Sequence, residues 1–303
     1  MTETTDRPLV TFALFAYNQE QYIREAVEGA FSQTYEPLEI ILSDDCSSDR
    51  TFQIMQEMAA AYDGPHEIRT VRNNINLGLI EHINNIAEIS NGEIILFAAG
   101  DDISARYRAE RTTRAFEFSK DCTAVFCGVS EEQKYTSRTT EPINIQEIHS
   151  TEIFINTGGA GRGAAYAYRR DVLFWQGKIP YIVKSEDKFL PARACLVGKV
   201  YRLNEPLLYY RRHQISLTES YRRNASFAHQ RPAHWNLLSE IIYTARMQRK
   251  IGLLEYICLQ LCLNSAQLAK IIKYRNSANL IMLPARLIRR MCRKPAHIIQ
   301  FCE

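Results

Sequence analysis

Carboxylates stand in pairs at three places along this chain: Asp44-Asp45, Asp101-Asp102 and Glu186-Asp187. The first pair closes the apolar run 38–42, the second closes 94–97, and the third precedes Lys188-Phe189-Leu190. Two adjacent carboxylates repel one another unless a cation or a hydrogen-bonding ligand lies between them. At neighbouring strand ends of an open α/β sheet, such pairs form a site for a metal–diphosphate ligand.

Gly100-Asp101-Asp102 is the sharpest of the three. Glycine permits a tight turn and a close ligand approach, and the two acids offer hard oxygen donors to Mg²⁺ or Mn²⁺. The plainer alternative has Asp102 capping a helix that begins near Ser104. For Asp44-Asp45 the alternative is a turn, but Ser48 and Asp49 already serve the following helix start. Tyr17, at the end of the neighbouring strand, adds an aromatic face on which a nucleobase could stack while a carboxylate accepts its N–H. Glu186-Asp187 would sit favourably at a helix N-terminus for dipole reasons alone, or could take a proton from an acceptor hydroxyl. His213 lies in Tyr209-Tyr210-Arg211-Arg212-His213, where the cations could meet a diphosphate. Residues 158–163 are glycine-rich but lack a terminal Gly-Lys-Ser/Thr and do not follow the first strand, so neither nucleotide fingerprint applies.

The elements that position these groups alternate. Strands are expected at 9–15, 39–43, 68–71 and 93–98. Helices between them bury Ile23, Ala26, Val27, Ala30 and Phe31, then Phe52, Met55, Ala59 and Tyr62, then Ile80, Ile83 and Ala87. Asn18 is expected to cap the first helix. Such alternation with short connections predicts an α/β fold, a Rossmann-like, mainly parallel sheet with helices on both faces. Beyond residue 118 the pattern loosens. Strands are expected at 122–129, 164–169, 199–203 and 206–211, a helix at 188–197, and a polar surface excursion at 131–151. From residue 219 the period is helical, which predicts a catalytic domain over 1–218 and a basic helical region over 219–303.

Composition is that of a globular protein: 303 residues, 46% hydrophobic and 23% charged. The net charge of +3 conceals an asymmetry. Residues 221–303 hold 14 Lys/Arg against 3 Asp/Glu, a net of +11, while the first 220 hold 23 against 31, a net of −8. An acidic body with a basic tail suggests peripheral contact with an anionic membrane, or merely a solvated helical face. No nucleic-acid-binding motif accompanies the charge, so nucleic acid is not an expected partner. The polar start and the lack of a long apolar run predict neither signal peptide nor membrane span. Eight scattered cysteines without a C-x-x-C pair fit a reduced, cytoplasmic protein and no zinc site.

The ordered set of motifs over roughly residues 8–215 resembles the family-2 inverting glycosyltransferases with a GT-A fold. It consists of Phe15-Ala16-Tyr17-Asn18 with Tyr22-Ile23, Ser32-Gln33-Thr34-Tyr35, residues 39–48 followed by Asp49-Arg50-Thr51, Asn76-Leu77-Gly78, Gly92-Glu93, residues 99–102, Ser185-Glu186-Asp187, Gly198, Pro206-Leu207 and Tyr210-Arg211-Arg212-His213. The resemblance implies a nucleotide-sugar donor, UDP- or dTDP-linked, and a glycan or lipid-linked acceptor in surface polysaccharide or lipopolysaccharide synthesis. It places Phe15, Ala16, Tyr17, Asn18, Asp44 and Asp45 at the base and ribose and Asp101 at the donor, and counts Asn76 and Gly78 among the binding residues. It gives Asp102 and His213 to Mn²⁺ or Mg²⁺, and makes Asp187 the general base. Ala99 stands where the family's acidic motif often begins with Asp. The Gln-x-x-Arg-Trp signature of processive synthases is absent after residue 213, which favours single addition. Two other classes are a sugar nucleotidyltransferase, which should show a basic glycine-rich loop in place of Ala16-Tyr17-Asn18, and a non-catalytic nucleotide- or glycan-binding relative.

Overall fold

The computed structural model describes residues 7–132, 142–155, 161–183, 185–213 and 231–274. Its first half is a parallel block of four strands: β1 (Val10–Ala16), β2 (Leu38–Asp44), β3 (Glu67–Arg72) and β4 (Ile94–Ala99), in spatial order β3-β2-β1-β4. Helices α1 (Ile23–Phe31), α2 (Thr51–Ala60) and α3 (Leu79–Ile89) alternate with them. Phe12 and Leu14 of β1 pack with Ile23, Val27 and Met55 of α1 and α2 on one face of the sheet. Ala13 and Phe15 pack with Ile83 and Ile86 of α3 on the other. Burial on both faces is why these strands read as apolar runs without polar alternation.

The second half mixes strand directions. It comprises β5 (Ile103–Ser104), α4 (Arg108–Glu117), β6 (Cys122–Ser130), β7 (Ile145–Ile148), α5 (Ser150–Ile155), a 3₁₀ turn (Gly163–Ala165), β8 (Tyr166–Arg169), α6 (Arg170–Phe174), α7 (Glu186–Val197) and β9 (Lys199–Tyr209). The sheet continues β4-β8-β6-β9-β5, with β7 on β9. β8 runs antiparallel to both β4 and β6, while β6 and β9 are parallel. The two strands expected at 199–203 and 206–211 are one strand, because Pro206 sits at a register shift opposite Gly128 where no ladder bond is needed. The polar stretch 131–151 contains β7, whose exposed Gln146 and Glu147 conceal a short edge strand.

Helices α8 (Arg231–Met247) and α9 (Leu253–Tyr274) form the helical extension. Their Leu238, Ile241, Ile242, Leu259 and Leu263 enter the same apolar cluster as Phe154 of α5 and Phe189 of α7. The boundary near 218, and the basic residues from Arg275 onward, lie outside the described residues.

Candidate functional site

Strand pairing alone brings the acidic segments to one rim of the sheet. Ala16 is in register with Asp44, and Phe15 with Ala99. Asp45 N–H donates to Ala16 O at 2.9 Å, and Gly100 N–H to Phe15 O at 2.8 Å, so the chain leaves β2 and β4 beside the end of β1. β8 descends from the same rim. Its register of Leu96 with Ala167 sets the Gly163–Ala165 turn beside the end of β4.

The first acidic pair is held from inside. Asp44 accepts from Ser47 N–H at 2.9 Å and from the Ser47 hydroxyl, and pairs with Arg72 Nε at 3.3 Å. Asp45 accepts from Asn73 Nδ2 at 2.8 Å and from the Leu77 and Gly78 N–H groups, both at 2.9 Å. Gly78 adopts φ +76°, a left-handed conformation that glycine takes without strain, and Asn76 also accepts its N–H, at 3.1 Å. Behind this loop the buried His82 ring bonds Ser43 Oγ and meets Phe15 edge-on. Burial lowers the His82 pKa, with Asp45 and Asp44 opposing. Phe15 and Ala16 are core side chains, so among residues 15–18 it is Tyr17, 47% exposed, that offers a ring to a ligand. Asn18 does not cap α1, which starts at Ile23 after Tyr22; its Oδ1 accepts from Ser48 N–H at 2.8 Å and ties the first two loops together. Asp49 serves the first turn of α2 through Thr51 N–H at 2.9 Å.

The second pair faces the end of β9. Asp101 bonds His213 Nε2 at 2.9 Å, and the His213 ring lies 4.5 Å from that of Tyr22. Asp102, 4% exposed, accepts from Arg211 N–H at 3.0 Å. Burial first, and then the neighbouring Asp101, push the Asp102 carboxyl up to about 8. Gly100 fits because a Cβ there would meet Gln19 Oε1 at 2.5 Å and Ala16 Cβ at 2.8 Å; protein atoms, not open space, crowd it. Arg211 and Arg212 are already paired, with Glu25 and Glu131. Among the described residues no group of three or more His, Cys, Asp or Glu converges on a metal position.

The third pair opens α7, whose first turn begins at Glu186, two residues earlier than the sequence suggested. Burial raises both carboxyls, that of Glu186 to about 8 with Asp187 adding to the rise. Lys188 and Arg162 pull Asp187 the other way. Two neighbouring buried carboxyls resist ionising together, so the pair holds a proton more readily than free acids do. The Glu186 carboxylate lies against Gly163, which locates α7's start at the rim shared with Asp101. Arg162 sits over the Tyr210 ring at 4.8 Å, three residues from His213 in sequence, and so links the second and third pairs.

Sequence reasoning missed Arg162, Arg108 and Asn84. Buried Arg108 donates to Phe97 O at 2.8 Å and Ala164 O at 2.6 Å, binding β4 to the turn. Asn84 of α3 makes two 2.9 Å bonds with the backbone of Ile179, fixing the loop that leads to α7. Arg162 alone had a signal, as the lone cation in the glycine-rich run.

The family model for glycosyl transferase family 2 matches residues 11–174, more than half of the chain. An uncharacterized Mycobacterium tuberculosis protein is 28% identical over 207 residues, 65% of this chain and 57% of its own length. An uncharacterized glycosyltransferase of Haemophilus influenzae is 28% identical over 219 residues, 68% of this chain and 66% of its own. This chain thus spans little more than half the length of the mycobacterial relative. Among solved structures, S. aureus TarS 1-349 in complex with UDP-GlcNAc superposes with a TM-score of 0.67 at 15% identity, covering 91% of this chain and 78% of that one. Mannosyltransferase PcManGT from Pyrobaculum calidifontis, in complex with GDP-Man and Mn²⁺, gives 0.54 at 17% identity, covering 96% and 81%. These likenesses show the GT-A fold. With the family match over the strands that build the rim, the chain belongs to glycosyl transferase family 2.

Proposed function

We propose that this rim transfers one sugar, with inversion, from a UDP- or dTDP-sugar to a hydroxyl of a glycan or lipid-linked acceptor in cytoplasmic assembly of surface polysaccharide or lipopolysaccharide. The observation that carries the reading is the acid pair Asp101-Asp102 on the same rim as Asp187, whose carboxyl feels Arg162, the cation stacked over Tyr210. A nucleotide-sugar donor is supported by the bound UDP-GlcNAc and GDP-Man of the two structural neighbours.

The adjacent Asp101 and Asp102 offer hard oxygen donors suited to Mn²⁺ or Mg²⁺, ions that take one or two carboxylates and fill the shell from substrate phosphates. Asp102 would hold the ion, with His213, bonded to Asp101 at 2.9 Å, as the further donor proposed, and diphosphate oxygens would complete the shell. Bound there, the ion supplies Lewis-acid stabilisation of the charge that collects on a departing diphosphate.

Asp187 takes the proton of the acceptor hydroxyl as that oxygen bonds the anomeric carbon. The carbon–oxygen bond to the diphosphate breaks on the opposite face, its electron pair leaves with the nucleoside diphosphate, and the configuration inverts. Tyr17 offers its ring to the base, while Asp45 and the 73–78 loop border the same pocket edge. Asp187→Asn should bind UDP as the wild type does and turn over ~10²–10⁴-fold more slowly. Product with retained anomeric configuration by NMR, or full turnover by Asp187→Asn, overturns the proposal.

A further inference from the structure

Helices α8 and α9 form an antiparallel hairpin held at its seam by Ser239 Oγ and Gln260 Oε1, 3.1 Å apart. Leu238, Ile241 and Ile242 of α8 and Leu259 and Leu263 of α9 face the core. On the solvent side, at four-residue spacing, stand Tyr243 and Met247 of α8, 54% and 65% exposed. Leu253, Ile257 and Leu261 of α9 do the same, at 57%, 44% and 55%. Five of the eleven large exposed apolar side chains among the described residues therefore fall within this one hairpin. Scattered exposed apolar residues need no explanation, but a stripe two helices wide does.

We propose that this face docks on an anionic lipid bilayer. Arg249 and Lys250, both exposed, occupy the turn between the helices, and Arg246 lies one turn before it. The chain beyond Tyr274 adds six Lys/Arg (Arg275, Arg286, Arg289, Arg290, Arg293 and Lys294) against one acid, Glu303. Both described acids of the hairpin, Glu240 and Glu255, are exposed, and Glu255 is tied to Ser150 of α5 at 3.3 Å. A second copy of this chain would bring the same cations against the first set, whereas phosphatidylglycerol headgroups supply the opposite charge. Of the five stripe residues only Tyr243 gives a nucleobase a ring to stack on, the rest being aliphatic, which disfavours a nucleic acid here. Among the described residues no helix is long and apolar enough to cross a membrane, so the stripe enters only the interface, as amphipathic surfaces do.

The inference goes beyond the transferase reading and stands on different residues, so either can fail alone. The test is co-sedimentation of the full chain with phosphatidylglycerol/phosphatidylcholine vesicles and with phosphatidylcholine vesicles. Two variants accompany it: Leu253→Ser/Ile257→Ser/Leu261→Ser, and Arg249→Ser/Lys250→Ser. All five positions are exposed, so thermal melts should match the wild type, and hydrolysis of a soluble nucleotide sugar should not change. Binding to the anionic vesicles alone, weakened about tenfold or more in each variant, supports the proposal. Absence of wild-type binding to anionic vesicles, or wild-type binding by the serine variant, overturns it. Dissociation of a dimer in the serine variant without vesicle binding by the wild type overturns it too, and gives the face to a second copy.

Discussion

Replacing Gly163 with alanine is a direct probe of how the rim holds its acids. An ideal Cβ at this position would stand 2.0 Å from Glu186 Oε1, 3.2 Å from its Cδ and 3.7 Å from its Cγ. Ordinary van der Waals contact begins at 3.4 Å, so the carboxylate must retreat by about 1.4 Å, the difference between 3.4 and 2.0. The atom that must move is the end of a flexible side chain, so the fold survives and the strain falls at the low end of overpacking, about 1 kcal/mol. Displacing Glu186 changes the surroundings of the adjacent Asp187 carboxyl, and misplacement by this distance typically lowers turnover about 10–100-fold. Nucleotide affinity should hold, because Gly163 and Glu186 belong to the β8 and α7 side of the rim whereas Tyr17 and Asp45 follow β1 and β2. The assay is a double-mutant cycle in urea, with Gly163→Ala made in the wild type and in Glu186→Ala. The alanine should destabilise the first by about 1 kcal/mol and leave the second within ~0.5 kcal/mol. Equal destabilisation in both backgrounds would refute the contact as the cause.

Asn84→Ala removes both 2.9 Å bonds to the Ile179 backbone at a buried site and should destabilise the protein by ~2–3 kcal/mol in urea titrations. Because that loop leads to Asp187, acceptor KM should rise while UDP affinity is unchanged; a loss of UDP affinity instead would count against this positioning role. Asp102 titrates near 8 when folded, whereas an unfolded aspartate titrates near ~4, so the folded state retains a proton that the unfolded chain has released. Stability without metal should therefore fall as pH rises from about 4 to about 8, with Glu186 adding a fall of the same sign. Asp102→Asn should flatten the profile in part; urea midpoints that climb between pH 5 and pH 8, or an unaltered slope in the variant, would contradict the assignment.

The first half of the fold was legible because its physics is local. Runs such as 38–42 and 94–97 are buried on both faces, and each ends at a polar turn that must emerge. The second half was less legible because its determinants are tertiary. β7 is a four-residue edge strand whose outward residues are polar, and β5 is only two residues long. In β9, Pro206 argued for a break that the register shift opposite Gly128 absorbs. Glu39 belies its surface-residue chemistry: it is 1% exposed within β2, and Thr11, Arg69 and Asn91 satisfy its carboxylate. None of those partners is visible from the strand's own pattern.

At the site, residue type disclosed the acids but not what each acid is already doing. Asn84 and Ile179 are 95 positions apart, a separation at which spacing carries no information about contact. The same limit hid the partners of the first acidic pair, and they constrain how it can recognise a nucleoside. A carboxylate has roughly four acceptor positions. Asp44 spends three on Ser47 and Arg72 and is fully buried. Asp45 spends three on Asn73, Leu77 and Gly78, and is 3% exposed. In the proposed nucleoside role, Asp45 rather than the fully buried Asp44 would meet the base, and its one remaining position would accept one N–H. A single such bond beside the exposed Tyr17 ring selects for a base that presents an N–H at its edge while its face is stacked. Uracil and thymine share that N–H, so the pair cannot tell UDP from dTDP by this bond. With the donor proposed above, discrimination between them would fall to contacts with the base's C5 substituent and with the sugar's 2′ position.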